Sequence, residues 1–146
     1  LRMRPEDYSY PPGTALPVTH GDFHTHNFGF AADGRLVFMD YDLMIRALYA
    51  EDFTHLVVNG MRHSCMLFDR KRRSVLLSRY KALIRALPYP LPDWRLALNR
   101  ERLWAASGVI DGKGESFRAA REFLRRDLPM RFMYGVLDEL AKEERA

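Results

Sequence analysis

Residues 20–27 read HGDFHTHN, and the fold turns on whether this run is a nest of metal ligands or a loop built for phosphoryl transfer. On a strand, His20, Asp22, His24 and His26 would alternate onto one face, as ligands of a β-barrel metal site can. Such a site also wants a glutamate shortly after its paired histidines, and here Asn27, Phe28, Gly29, Phe30 and Ala31 follow. The remaining histidines, His55 and His63, sit in helical patterns, where a single imidazole is more often a satisfied or surface group than a ligand. A zinc centre therefore lacks the company it needs.

The residues just downstream favour the other reading. In FGFAADGRLVFMD (28–40) apolar residues flank the turn signal Asp33-Gly34. This predicts a hairpin, with one strand near Phe28–Phe30 and a second near Arg35–Met39. Asp33 belongs to the turn. Phosphoryl transfer needs a carboxylate to orient and deprotonate the attacking hydroxyl, and oxygen ligands to hold magnesium against the phosphates. Asp22, Asn27 and Asp40 stand in that order, the last two at the ends of the hairpin. A short hairpin brings its ends side by side, so an amide oxygen and a carboxylate can share one metal while Asp22 stays near the acceptor.

With Gly at position 21, HGDFHTHNFGF followed by LVFMDYD resembles the aminoglycoside phosphotransferase and choline kinase family, small-molecule kinases of the protein-kinase-like fold. It is also similar to bacterial kinase-like proteins whose loop runs into NFG and whose metal strand ends in an Asp-aromatic-Asp triplet. The resemblance implies ATP and magnesium, with Asp22 as catalytic base, His20 bracing the loop, and Asn27 and Asp40 as nucleotide-metal ligands. Asp42 would be a further metal group, with Tyr41 the aromatic between. AEDFTHLVV (50–58) resembles the family's following helix, in which Asp52 would be structural. The likeness is specific over residues 18–54 and architectural from 55 to 146.

Around this centre, residues 1–19 form an irregular lead-in with Pro5, Pro11, Pro12, Gly13 and Pro17. From residue 50 the pattern is helical. Leu56, Val57, Gly60, Met61 and Leu67 fit one segment, and Val75, Leu76, Tyr80, Leu83 and Ile84 a second. PYPLPD (88–93) reads as a break with Asp93 as N-cap. A third helix is expected from Trp94 to Ala106, ended by Gly108. The last, from Glu115 to Glu144, contains Pro129, which should kink or split it. The expected fold is α+β and mostly α-helical: a kinase-like C-terminal lobe with a short β-hairpin on a helical bundle.

At 146 residues the chain suits one domain, divided into the lead-in (1–19), catalytic loop and metal hairpin (20–42) and helical subdomain (50–146). The family's N-terminal nucleotide lobe is absent from this chain: PPGTALP (11–17) is no phosphate-covering loop. A single cysteine, Cys65, excludes an internal disulfide. No apolar run would span a bilayer, and no signal peptide opens the chain, so a cytoplasmic location is expected. The net charge of +4 comes with two basic runs, Arg62 and Arg70–Arg73, then Arg118, Arg121, Arg125, Arg126 and Arg131. Interleaved with acidic and apolar residues, they read as solvated helix faces, and nucleic acid is not the expected partner.

Two functions follow from different classes. One is a phosphotransferase lobe acting on a small-molecule hydroxyl or amine, completed by the missing lobe or by self-association. The other is a noncatalytic kinase-like interaction module. Trp94, Trp104, Phe117 and Tyr134 are candidates for an acceptor pocket, with core packing the commoner role for aromatics at helical spacing.

Overall fold

Asp33-Gly34 closes the expected hairpin. Strand β2 (Phe28–Phe30) pairs antiparallel with β3 (Leu36–Phe38), Phe28 opposite Phe38 and Phe30 opposite Leu36. Gly34 takes φ +84° and the Asp33 carboxylate accepts the Arg35 amide at 3.1 Å, the usual chemistry of such a turn. The computed structural model describes residues 3–62, 70–110 and 116–146, with side chains for 3–61, 71–106 and 127–146. Readings that concern His63, Cys65, Leu67, Phe117, Arg62, Arg70, Arg118, Arg121, Arg125 and Arg126 lie outside the described side chains.

A second pairing, not anticipated from the sequence, lies beside the hairpin. Strand β1 (Val18–Thr19) runs antiparallel to β4 (Ile45–Arg46). At two residues each, these strands are too short for any alternation to register. They matter because they clamp the chain on either side of the 20–44 segment, so loop and hairpin leave and return at one place.

Among the described residues four helices follow: α1 (Tyr49–Arg62), α2 (Arg70–Ala86), α3 (Leu91–Ile110) and α4 (Ser116–Glu143). Glu51 sits at the third position of α1, and its carboxylate accepts the Leu48 amide at 3.2 Å, one half of a capping box. Two boundaries differ from expectation. Helix α3 opens at Leu91 and runs past Gly108, because Pro92 falls in its first turn, where a missing N–H costs nothing. Asp93 is therefore inside that turn rather than capping it. Helix α4 passes through Pro129 as one element, with Pro129 among the fully buried residues. Burial of that face offsets the lost hydrogen bond.

Trp94, Leu98, Met130, Met133, Val136 and Leu137 form the centre of the core, each at most 2% exposed. They join α1, α3 and α4. On the outer side, Lys81 of α2 binds Glu139 and Glu143 of α4, and Arg85 also reaches Glu143. Part of the basic charge on α2 is thus matched within the fold. The structure is α+β and mostly helical, and no described helix is long and apolar enough to cross a membrane.

Candidate active site

The loop 20–27 is no strand, so strand alternation does not align its polar residues. His20 turns to the hairpin, whereas His24 lies against both Asp22 and His26. The Asp52 carboxylate, in the first turn of α1, accepts the backbone amides of His20 at 2.8 Å and Gly21 at 2.9 Å. Two charge-assisted bonds to adjacent amides fix the start of the loop on the helix, a structural role for Asp52. The His20 ring lies 2.8 Å from the Met39 carbonyl through Nε2, tying loop to hairpin. Phe23 packs on Phe28, Phe38 and Phe53 with ring centroids 5.5, 5.6 and 6.1 Å away, linking loop, hairpin and α1 through one side chain.

Gly21 has no substitute here. Its φ is +82°, and a Cβ built on it would stand 2.0 Å from the Leu43 carbonyl oxygen. The chain after the hairpin therefore crosses directly over the loop. Only a residue without a side chain allows that approach.

Asp22 follows at the floor of a cleft of about 410 Å³ bounded by α1, α3 and the 43–45 segment. Asn27 turns back toward it: the Asn27 amide nitrogen donates to the Asp22 carbonyl at 2.9 Å and lies 3.4 Å from carboxylate Oδ2. At the hairpin base the Met39 amide donates to the Asn27 carbonyl at 2.8 Å, so Asp40 comes one residue after a backbone contact with Asn27. Asp40 adopts φ +62°, a left-handed conformation uncommon for a non-glycine residue and concentrated at functional sites. Asp40 and Asp42 are both exposed.

Among the described residues no group of three or more His, Cys, Asp or Glu side chains is gathered to hold a metal ion. Asn27 has its nitrogen engaged and its amide oxygen left as donor, and no described hydrogen bond or ion pair engages Asp40 or Asp42. An amide oxygen with carboxylates is the hard donor set that magnesium prefers.

Sequence reasoning missed what lies behind Asp22. His55 of α1 places Nε2 3.2 Å from Asp22 Oδ1 and Nδ1 2.9 Å from Glu101 Oε2 of α3. The Asn59 amide nitrogen sits 2.6 Å from His55 Nε2. His24 Nε2 lies 3.4 Å from Asp22 Oδ2. The lone helical histidine is indeed satisfied internally, but its partner is the candidate base. No local signal marks this, since the three residues are 33 and 46 positions apart.

Of the four aromatics, Trp94 is core, Tyr134 is half-buried, and Trp104 lies on the cleft wall, 55% exposed, its indole edge-on to His55 at 5.5 Å. Comparison with known proteins adds no relative: no family model, curated protein or solved structure matches the chain.

The lead-in is less irregular than expected and packs against α1 and α3. Pro5–Asp7 form a 3-10 turn. Asn99 donates to the Asp7 carbonyl at 2.5 Å, and Arg100 to the Tyr8 carbonyl at 3.1 Å. The Arg100 guanidinium also lies 4.2 Å from the centre of the Tyr10 ring and pairs with Glu51 at 2.8 Å. The Tyr10 hydroxyl donates to Glu51. Burial, then that bond to a carboxylate, pushes the Tyr10 hydroxyl well above the usual tyrosine range.

Proposed function

We propose that this chain is the C-terminal catalytic lobe of an ATP- and magnesium-dependent phosphotransferase acting on a hydroxyl or amine of a small molecule. The observation that carries the reading is Asp22, at the floor of an open cleft, bonded to Asn27 at the root of a hairpin whose other end delivers Asp40. In this reading Asp22 takes the proton of the acceptor at a carboxylate oxygen while the acceptor atom keeps the electron pair for its new bond to the γ-phosphorus, and the bond from that phosphorus to the bridging oxygen breaks with its electron pair leaving on ADP. His20 braces the loop through the Met39 carbonyl. Asn27, Asp40 and Asp42 would hold magnesium, which when bound neutralises phosphate charge.

A C-terminal lobe alone would leave the phosphates uncovered on one side. The exposed apolar residues Phe30, Leu36, Val37, Met39, Leu43 and Met44 give a second lobe, or a second copy, a surface to pack on. A cytoplasmic location, where ATP is supplied, goes with this reading. The same apolar face also favours the second reading, a noncatalytic interaction module that keeps the fold and uses the hairpin for docking.

The two part on substitution. In the assembled, two-lobed protein, Asp22→Asn should lower phosphoryl transfer by roughly a hundredfold or more, the scale for loss of a positioned base. The fold should change in stability by at most about 1 to 2 kcal/mol. Asp40→Asn should instead raise the magnesium concentration needed for ATP binding. Full transfer with unchanged magnesium dependence in both variants would make the interaction module the better account.

A further inference from the structure

His55 and Glu101 carry a cost that simple packing does not explain. Their side chains are 11% and 7% exposed, on two helices that also contribute Val57, Val58, Trp94, Ala97 and Leu98 to the apolar core. Taking an imidazole and a carboxylate out of water is unfavourable, and an apolar pair would join α1 to α3 with less penalty. The polar chain runs from the interior toward the cleft, Glu101 to His55 at 2.9 Å and His55 to Asp22 at 3.2 Å, and it ends on the candidate base.

We propose that His55, held from behind by Glu101, is the positioning residue for the Asp22 carboxylate, holding it at Oδ1 in the orientation that takes the acceptor's proton. The inference rests on the phosphotransferase reading and adds to it the residue that orients the base. An imidazole has two ring nitrogens, and a bond at one sets the direction of the other. Only a ring with a proton on both nitrogens donates to both carboxylates, Nδ1–H to Glu101 and Nε2–H to Asp22. The Asn59 amide, one turn along α1, also lies against Nε2, and the Trp104 indole packs 5.5 Å from the ring.

Oδ1 faces His55 at 3.2 Å, and Oδ2 has the approaches of His24 and Asn27, both 3.4 Å. A carboxylate offers about four acceptor sites, so capacity remains for an incoming hydroxyl once the group's orientation is set. Because a carboxylate turned away from its partner loses most of its benefit, the tie acts on the chemical step rather than on nucleotide binding.

The experiment compares His55→Gln, His55→Leu and Glu101→Gln in the assembled protein. ADP release from magnesium-ATP is followed with glucosamine as acceptor probe and with water alone. His55→Leu should lower kcat by about tenfold to a hundredfold with the KM for ATP within about twofold. His55→Gln, whose amide can still donate to Asp22, should recover most of that loss, and Glu101→Gln should fall between. A histidine that merely fills space predicts the opposite order, with Leu at least as good as Gln. If His55→Leu does not fold, the other two variants carry the comparison.

A second measurement needs no turnover. Long-range proton–nitrogen NMR of the histidine rings should show Asp22→Asn moving the His55 Nε2 resonance and Glu101→Gln moving Nδ1, with His55 assigned by its loss in His55→Gln. Unmoved resonances overturn the proposal, as does normal kcat in His55→Leu when Asp22→Asn is inactive. A wild type that turns over neither probe, with the His55 resonances still responding, removes the phosphotransferase reading while the tie to Asp22 stands.

Discussion

The helical bundle and the 20–46 segment of this chain are held together by different forces. In the bundle, Trp94, Leu98, Met130 and Leu137 are at most 2% exposed, so stability comes from apolar area removed from water. In the loop and hairpin, Phe30 is 75% exposed and Leu43 59%. What orders that segment, beside the packing of Phe23 on Phe28, Phe38 and Phe53, is a small set of directional bonds, from two loop amides to Asp52, from His20 to the Met39 carbonyl and from Asn27 to Asp22. Burial tolerates small shifts of its parts, and hydrogen bonds do not. The bundle therefore sets how stable the protein is, and the polar ties set whether the candidate site has its geometry.

The largest expected effect tests the bundle. Leu98→Ala should destabilise by about 2 to 5 kcal/mol, the range for a fully buried leucine, measured by urea or thermal unfolding. A loss below about 1 kcal/mol would break the contrast. Next comes the loop: Gly21→Ala meets both the left-handed backbone and the Leu43 carbonyl, and should cost about 1 to 3 kcal/mol. It should also displace Asp22, so that a structure of the variant shows the His55 contact lengthened. Phe30→Ser, on the exposed hairpin, should stay within about 0.5 kcal/mol of wild type. If a second copy packs on the hairpin, sedimentation should show the variant less associated than wild type.

The smallest effect concerns pH. The Tyr10 hydroxyl is raised by burial and by Glu51, so its contribution to stability is complete below the ordinary tyrosine value of about 10 and declines as pH rises above it. In unfolding titrations the wild type should lose stability above about pH 10 more steeply than Tyr10→Phe. Parallel curves would show that the lead-in is not held through this hydroxyl.

Legibility in the sequence followed the same division. Local signals were readable: Asp33-Gly34 marks the hairpin, and periodic apolar residues mark the helices. Asp22 and Asn27 stand five residues apart in one loop, and the structure brings them into contact. Contacts between distant positions were not readable. Nothing around His55 or Glu101 distinguishes them from ordinary helical residues, and only the packing of α1 on α3 makes them neighbours of Asp22. Pro92 and Pro129 were read as interruptions because sequence pattern alone does not reveal a first turn or a buried face that offsets a lost bond. The β1–β4 pairing is two residues long and leaves no periodic trace.

The lead-in has a consequence for how the chain assembles. Asp7 and Tyr8 meet Asn99 and Arg100 across 92 residues, whereas the hairpin closes over fewer than a dozen. Loop-closure entropy grows with the length enclosed, and contacts far apart in sequence wait for the rest of the chain to bring them together. We expect the hairpin to form early, the bundle next, and the strap from residue 7 to 10 last. Pulsed hydrogen exchange should show amides of β2 and β3 protected before those of residues 7–9. Docking of the strap on α1 and α3 would then be the closing event of folding, and a chain caught before it would keep its core while Arg100 and Glu51, which line the cleft, lacked their outer partners.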